Sequence, residues 1–198
     1  MRSWLSGVPG VATGLAVTGL GGDVLYVETS VADGTAGLTV TGQLGDVMKE
    51  SASIALSWVR AHADELGIEP DVFEQSIHVH FPAGAIPKDG PSAGVTMVTA
   101  LVSLLTGRPV RSDVGMTGEV TLSGRVLPIG GVKQKLLAAQ RAGLATVYVP
   151  ERNRADLDDV PAELLSELDV RPVGRVTEIL AEALEPVASS LGATDAAA

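Results

Sequence analysis

Short β-rich runs fill the first forty residues. ATGLAVT, DVLYVETSVA and GLTVTG are separated by glycines such as Gly21, Gly22 and Gly34, a pattern that predicts three strands. A helical stretch follows over LGDVMKESASIALSWVRAHADEL, where Val47, Ser51, Ile54, Ala55 and Trp58 recur at steps of three and four and predict one buried face. Gly67 stops it. SIHVHF (76–81) alternates as a strand does, with Ile77, Val79 and Phe81 to one side and His78 and His80 to the other.

The segment PAGAIPKDGP (82–91) holds three prolines and two glycines and reads as a loop. Ser92 then opens an apolar helix that Gly107 caps. VGMTGEVTLSGRVLPIGG (114–131) reads as a β-hairpin turning at Ser123-Gly124. GVKQKLLAAQRAG reads as a helix ending at Gly143, ATVYVP as a strand, and DLDDVPAELLSEL, DVRPV and RVTEILAEAL as a helical turn, a strand and a last helix. Strands run first and helices alternate with them later, so mixed sheets are expected. One domain over 10–185 accounts for this order, with an extension at 1–9 and a small-residue tail at 186–198 expected to be disordered.

Composition narrows the choice of function. Hydrophobic residues are 45% of 198 and charged residues 19%, which is globular, and aromatics at 3% leave the core to Val, Leu, Ile and Ala. A net charge of −10 without a basic run argues against nucleic acid or an anionic membrane as partner. The absence of cysteine removes disulfides, thiolate metal sites and a cysteine nucleophile. Two uncharged runs, Ser3 to Gly22 and Gly90 to Gly107, approach membrane-span length, but glycines and a proline break the first and polar residues punctuate the second. A phosphate-binding G-x-x-x-x-G-K-[ST] loop and metal patterns such as H-E-x-x-H are missing. The chain is therefore expected neither to bind ATP by itself nor to need a metal, and His78 and His80 read as polar-face strand residues.

GPSAG (90–94) matches the G-x-S-x-G nucleophile elbow. That fold requires a histidine after the serine, and His62, His78 and His80 all precede Ser92. Read blandly, Ser92 is a helix N-cap. A lysine serves as base in Ser-Lys hydrolases, provided that burial keeps its amine neutral. Lys49 lies among Asp46 and Glu50, and Lys88 lies in the loop beside Asp89. Lys133 and Lys135 flank the stripe Val132, Leu136, Ala139 and Gly143 on opposite sides. Lys135 shares its side with the small residues Ala138 and Ala142, which mildly favours it without settling the choice.

PKDGPSAG (87–94), MTGEVTLSGRVLPIGG (116–131) and GGVKQKLLAAQRAG (130–143), extended by GLAVT, GDVMKES and IHVHFPAGAIPKDGPSAG, resemble the proteolytic domain of the Lon family of ATP-dependent serine proteases. The likeness covers about residues 10–185. It implies an α+β fold of the ribosomal protein S5 domain 2-like type, mixed sheets with packed helices. It implies Ser92 as nucleophile, Lys135 as base and Thr117 as the residue that orients the lysine. Backbone donors for the oxyanion are then sought at Asp89, Gly90, Ser92 and Ala93, since Pro91 has no N–H. Further implications are unfolded polypeptide substrates, a cytoplasmic location and a homo-hexamer. An AAA+ ATPase module carrying ATP and Mg is expected in a longer chain of which this is a part. A Lon-like ring-forming module without catalysis is the rival reading. One departure is Val17, where many relatives carry tryptophan.

Overall fold

A computed structural model describes residues 7–187; residues 1–6 of the extension and 188–198 of the expected tail at 186–198 lie outside the described residues. The chain opens with a hairpin of β1 (Val11–Thr18) and β2 (Gly21–Ala32), paired antiparallel from Val11↔Glu28 to Thr18↔Gly21. β3 (Gly37–Thr41) follows, then α1 (Asp46–Ala61) and the short α2 (Ala63–Leu66). After β4 (Ser76–His80) and the proline-rich loop comes α3 (Gly94–Thr106), ended by Gly107 in the left-handed conformation at φ 68°. The second half contains β5 (Val114–Met116), β6 (Glu119–Val120), β7 (Val126–Leu127), α4 (Val132–Arg141), β8 (Thr146–Pro150), α5 (Ala162–Glu167), β9 (Asp169–Val173) and α6 (Val176–Ala183).

Seven strands form one sheet in the order β3-β4-β2-β1-β5-β8-β9. The β3–β4, β1–β5, β5–β8 and β8–β9 pairs are parallel, and the two pairs made by β2 are antiparallel. The fold is thus α+β with a mixed sheet and packed helices. β1 shows how the helices are shared between the faces. Gly14 lies against Thr96 of α3, whereas its neighbour Leu15 joins the core of Val132, Leu136 and Ala139 from α4. Gly14 is required there, since a Cβ would stand 2.7 Å from Thr96 Oγ1. α3 is buried on every side from Gly94 to Ser103, which explains its uncharged sequence.

Three expectations need correction. The stretch 44–66 is not one helix. His62 breaks it, with its Nδ1 bonded to the Trp58 carbonyl at 2.8 Å and its ring stacked on the indole. The buried face of α1 runs through Met48, Ser51, Ala52, Ala55, Leu56, Trp58 and Val59, while Val47 is 46% exposed. The small residues at 51, 52 and 55 decide this, because they let α1 approach α3 where Gly94 faces Ser51. The segment 114–131 is not a single hairpin either. β5 is buried at all three positions and runs parallel inside the main sheet, so only β6 and β7 pair across the turn at Gly124. The remaining strands and helices lie close to where the residue pattern places them, though α3 begins at Gly94 rather than at Ser92 and a short 3-10 helix, Pro70–Glu74, has no counterpart in that pattern.

Candidate active site

Ser92 precedes α3 without capping it. The N-cap position is Ala93, and no side chain bonds to the free amides of that helix end. Ser92 is held by its backbone instead: its carbonyl accepts from Gly118 N–H at 2.9 Å, and Val95 N–H returns a bond to Gly118 O at 3.1 Å. This exchange joins the start of α3 to the segment between β5 and β6, which carries Thr117. The Thr117 N–H is tied in turn to the Tyr148 carbonyl at 3.0 Å.

Lys135 arrives from α4. Within this amphipathic helix Val132, Lys135, Leu136, Ala138 and Ala139 are buried, so the lysine stands on the inner side beside Ala138. The residue is 4% exposed. Its Nζ donates to Thr117 Oγ1 at 3.0 Å, and Thr117 is wholly buried. Burial pushes the amine down from 10.5 to about 8, because water no longer solvates the ammonium. Lys133, two residues earlier, is exposed. α4 reaches this position by close contact with β2, where a Cβ on Gly22 would stand 1.9 Å from the Gln134 carbonyl oxygen.

Ser92 and Lys135 line the same cavity, of about 1020 Å³. Its walls come from the end of β1, the proline-rich loop and the turn before α4, and include Val17, Ile86 and Ile129. Val17 lines it at 47% exposure and touches Gly131, which has a φ of 72° and no room for a side chain. The Lys135 amine is bonded to Thr117 rather than to Ser92, so the serine shares the cavity without a bond to the lysine.

The four amides sought as anion donors differ. Gly90 N–H already donates to Asp89 Oδ1 at 2.8 Å. The Ser92 and Ala93 amides donate to no protein acceptor among the described residues, and both residues border the cavity at the start of a thirteen-residue helix. Asp89 does more than turn the loop: its Oδ1 also accepts from Met48 N–H at 3.0 Å and so caps α1 from a distant segment.

His78 and His80 lie on a polar face of β4, and both hydrogen-bond to Thr41 Oγ1, at 2.8 and 2.7 Å. Among the described residues no group of three or more His, Cys, Asp or Glu is arranged to hold a metal ion, and no helix is long and apolar enough to cross a membrane. Sequence reasoning missed the part played by Lys88, whose ammonium is bonded to three carbonyls. A lysine in a glycine- and proline-rich loop carries no periodic signal that would mark it.

The family model described as the Lon protease (S16) C-terminal proteolytic domain matches residues 5–186. The chain belongs to this family. It is 70% identical over 179 residues to the Lon protease of Mycolicibacterium smegmatis, covering 90% of this chain and 23% of that protein. It is 62% identical over 180 residues to the Lon protease of Salinispora arenicola, covering 90% and 23%. It is 55% identical over 177 residues to the Lon protease of Escherichia coli K12, covering 89% and 23%. The Lon-family domain described here therefore spans under a quarter of the length of these curated relatives.

Proposed function

We propose that this Lon-family domain is a serine endopeptidase in which Ser92 and Lys135 form a catalytic dyad. The observation that carries the reading is the buried Lys135 amine, hydrogen-bonded to Thr117 and lining one cavity with Ser92. A lysine with its pKa near 8 is neutral often enough at working pH to take a proton. The Ser92 hydroxyl gives its proton to Lys135 as its oxygen attacks a peptide carbonyl. The C–N bond then breaks, the lysinium returns the proton to the leaving amine, and an acyl-enzyme remains on Ser92. Water hydrolyses that ester with Lys135 again as base. The Ser92 and Ala93 amides serve as donors to the oxyanion, helped by the positive end of α3. Gly90 is the weaker candidate on the same loop, since its amide is occupied by the Asp89 carboxylate, and the Asp89 amide is the fourth candidate.

The proposal extends to the longer protein that the relatives' lengths suggest. Its substrates are unfolded polypeptides, its ring is a homo-hexamer, and its location is cytoplasmic. ATP and Mg act on an AAA+ module outside this chain, and no residue here is assigned to them. The protease domain itself is taken as residues 10–185.

A serine-directed fluorophosphonate should label Ser92, and Ser92→Ala should abolish both the labelling and the hydrolysis of an unfolded protein. Undiminished cleavage by Ser92→Ala would remove the serine from the mechanism. Absence of both labelling and cleavage in the unaltered protein would favour a non-catalytic ring-forming module.

A further inference from the structure

The loop that carries Ser92 has no regular structure, yet it is fastened to the junction between β3 and α1. Lys88 N–H donates to Gln43 O at 2.8 Å, and Gly45 N–H donates to Lys88 O at 2.7 Å. The Lys88 side chain turns back over this pairing. Its Nζ donates to the carbonyls of Gly42 at 2.9 Å, Ala83 at 2.9 Å and Ile86 at 2.8 Å. The first bond ties the loop to the chain after β3, and the other two close the arch of the loop on itself. Asp89 continues the seam by capping Met48, three residues before Ser51 approaches Gly94.

An ammonium has three N–H donors and no acceptor, so Lys88 is saturated. One of its three carbonyls follows β3 and the other two belong to the loop's own turn, and all three are within 2.9 Å of the one nitrogen. A planar guanidinium does not fit that arrangement. Ala83, one of the three, is a non-glycine residue at φ 64°, a conformation that persists only where its surroundings fix it. Gly45 belongs to the same seat, since a Cβ there would stand 2.2 Å from the Asp89 carboxylate.

We propose that Lys88 is a positioning residue for Ser92, a three-carbonyl clamp that fixes the proline-rich loop on the β3–α1 junction and so sets where the nucleophile lies in the cavity. This rests on the reading of Ser92 as nucleophile. Lys88 does not act as the base, because every N–H it has is directed at a carbonyl of the loop or its seat.

The test compares Lys88→Met, Lys88→Arg and Ser92→Ala in the intact protein. It uses a short fluorogenic peptide, the rate of Ser92 labelling by a fluorophosphonate, and amide hydrogen exchange. Lys88→Met is expected to lower kcat by about ten- to hundred-fold with KM within about three-fold, as misplacement of a reacting group does. Ser92 labelling should slow in parallel, and residues 83–90 should exchange faster. The pH at which the remaining activity rises should stay where it is in the unaltered protein. Lys88→Arg, which keeps the charge, should stay impaired. Unchanged kcat, unchanged loop exchange, full rescue by arginine or a displaced pH limb would each overturn the clamp. Should Lys88→Met fail to fold, Lys88→Gln, which retains two donors, carries the same comparison. Residual hydrolysis by Ser92→Ala would end the nucleophile reading, while the loop exchange of the Lys88 variants would still decide the clamp.

Discussion

Lys135 Nζ stands 3.0 Å from Thr117 Oγ1, joining α4 to the segment between β5 and β6. The amine that makes this bond is pushed down to about 8 by burial. At pH 7 about a tenth of it is neutral, against roughly one part in 3,000 for a lysine at its ordinary 10.5. If neutral Lys135 is the base, kcat/KM for a short peptide should climb about tenfold from pH 6 to pH 7 and level off above about pH 8. A profile flat from pH 6 to pH 9 would exclude Lys135 from that role.

Thr117 is wholly buried and has its own amide fixed to Tyr148, so its hydroxyl is a rigid acceptor for the lysine. Thr117→Val keeps the shape and deletes the acceptor. The expected loss is about ten- to hundred-fold in kcat, by misorientation of the amine. Thr117→Ser keeps the oxygen and should retain most activity. Equal losses in the two variants would indicate a packing role instead.

The two lysines of α4 give a sharper contrast. Lys133 is exposed and Lys135 is 4% exposed, although they are separated by one residue. Lys135→Gln should be as inactive in peptide hydrolysis as Ser92→Ala, and Lys133→Gln should stay within about two- to three-fold of the unaltered protein. Reversed effects would transfer the base to Lys133.

Helix periodicity reached only part of this candidate site, favouring Lys135 mildly, and the resemblance of its motifs made the choice. Because α4 follows a strict 3.6-residue repeat, Val132, Leu136 and Ala139 mark its buried stripe and place Lys135 beside Ala138 at the edge of it. The alternation in β4 likewise sends Ile77, Val79 and Phe81 inward. Periodicity fails where burial is complete. In β5 all three residues are buried, so the strand shows no alternation and merges in the sequence with the hairpin that follows. It falters in α1, where Met48, Leu56 and Trp58 are buried together with the small residues Ser51, Ala52 and Ala55, while Val47, on the expected face, is 46% exposed. The loop contacts are least legible of all. The Lys88–Gly42 and Asp89–Met48 bonds join residues 46 and 41 positions apart, and no local pattern announces them.

Gly22 controls the seat of α4. An added Cβ would stand 1.9 Å from the Gln134 carbonyl oxygen, a backbone atom that cannot turn aside. Gly22→Ala must therefore separate β2 from α4, and with it displace Lys135 from Thr117. Overpacking of this kind costs about 1–3 kcal/mol, so a denaturant midpoint should fall clearly and peptide hydrolysis should fall with it. Unchanged stability together with unchanged activity would mean that α4 can shift along β2 without consequence for the proposed dyad.

Burial of Lys135 also links activity to stability in opposite directions. In the unfolded chain the amine titrates near 10.5, and in the folded chain near 8. Between those values the unfolded state holds the extra proton, so stability should rise as pH rises through that window. Below about pH 8 both states are protonated, and the folded state carries the whole penalty, about 3 kcal/mol from the size of the shift. Above about 10.5 both are neutral and the penalty is gone. Lys135→Met removes the charge and keeps most of the volume, while leaving the Thr117 hydroxyl without its donor, a loss of about 1 kcal/mol. The variant should thus be inactive yet more stable than the unaltered domain at pH 7, by about 1–2 kcal/mol, with the advantage shrinking toward pH 10. Denaturant unfolding at the two pH values measures this. A Lys135→Met protein less stable at pH 7 would mean that the folded domain does not penalise the ammonium, and the case for a neutral lysine base would fall with it.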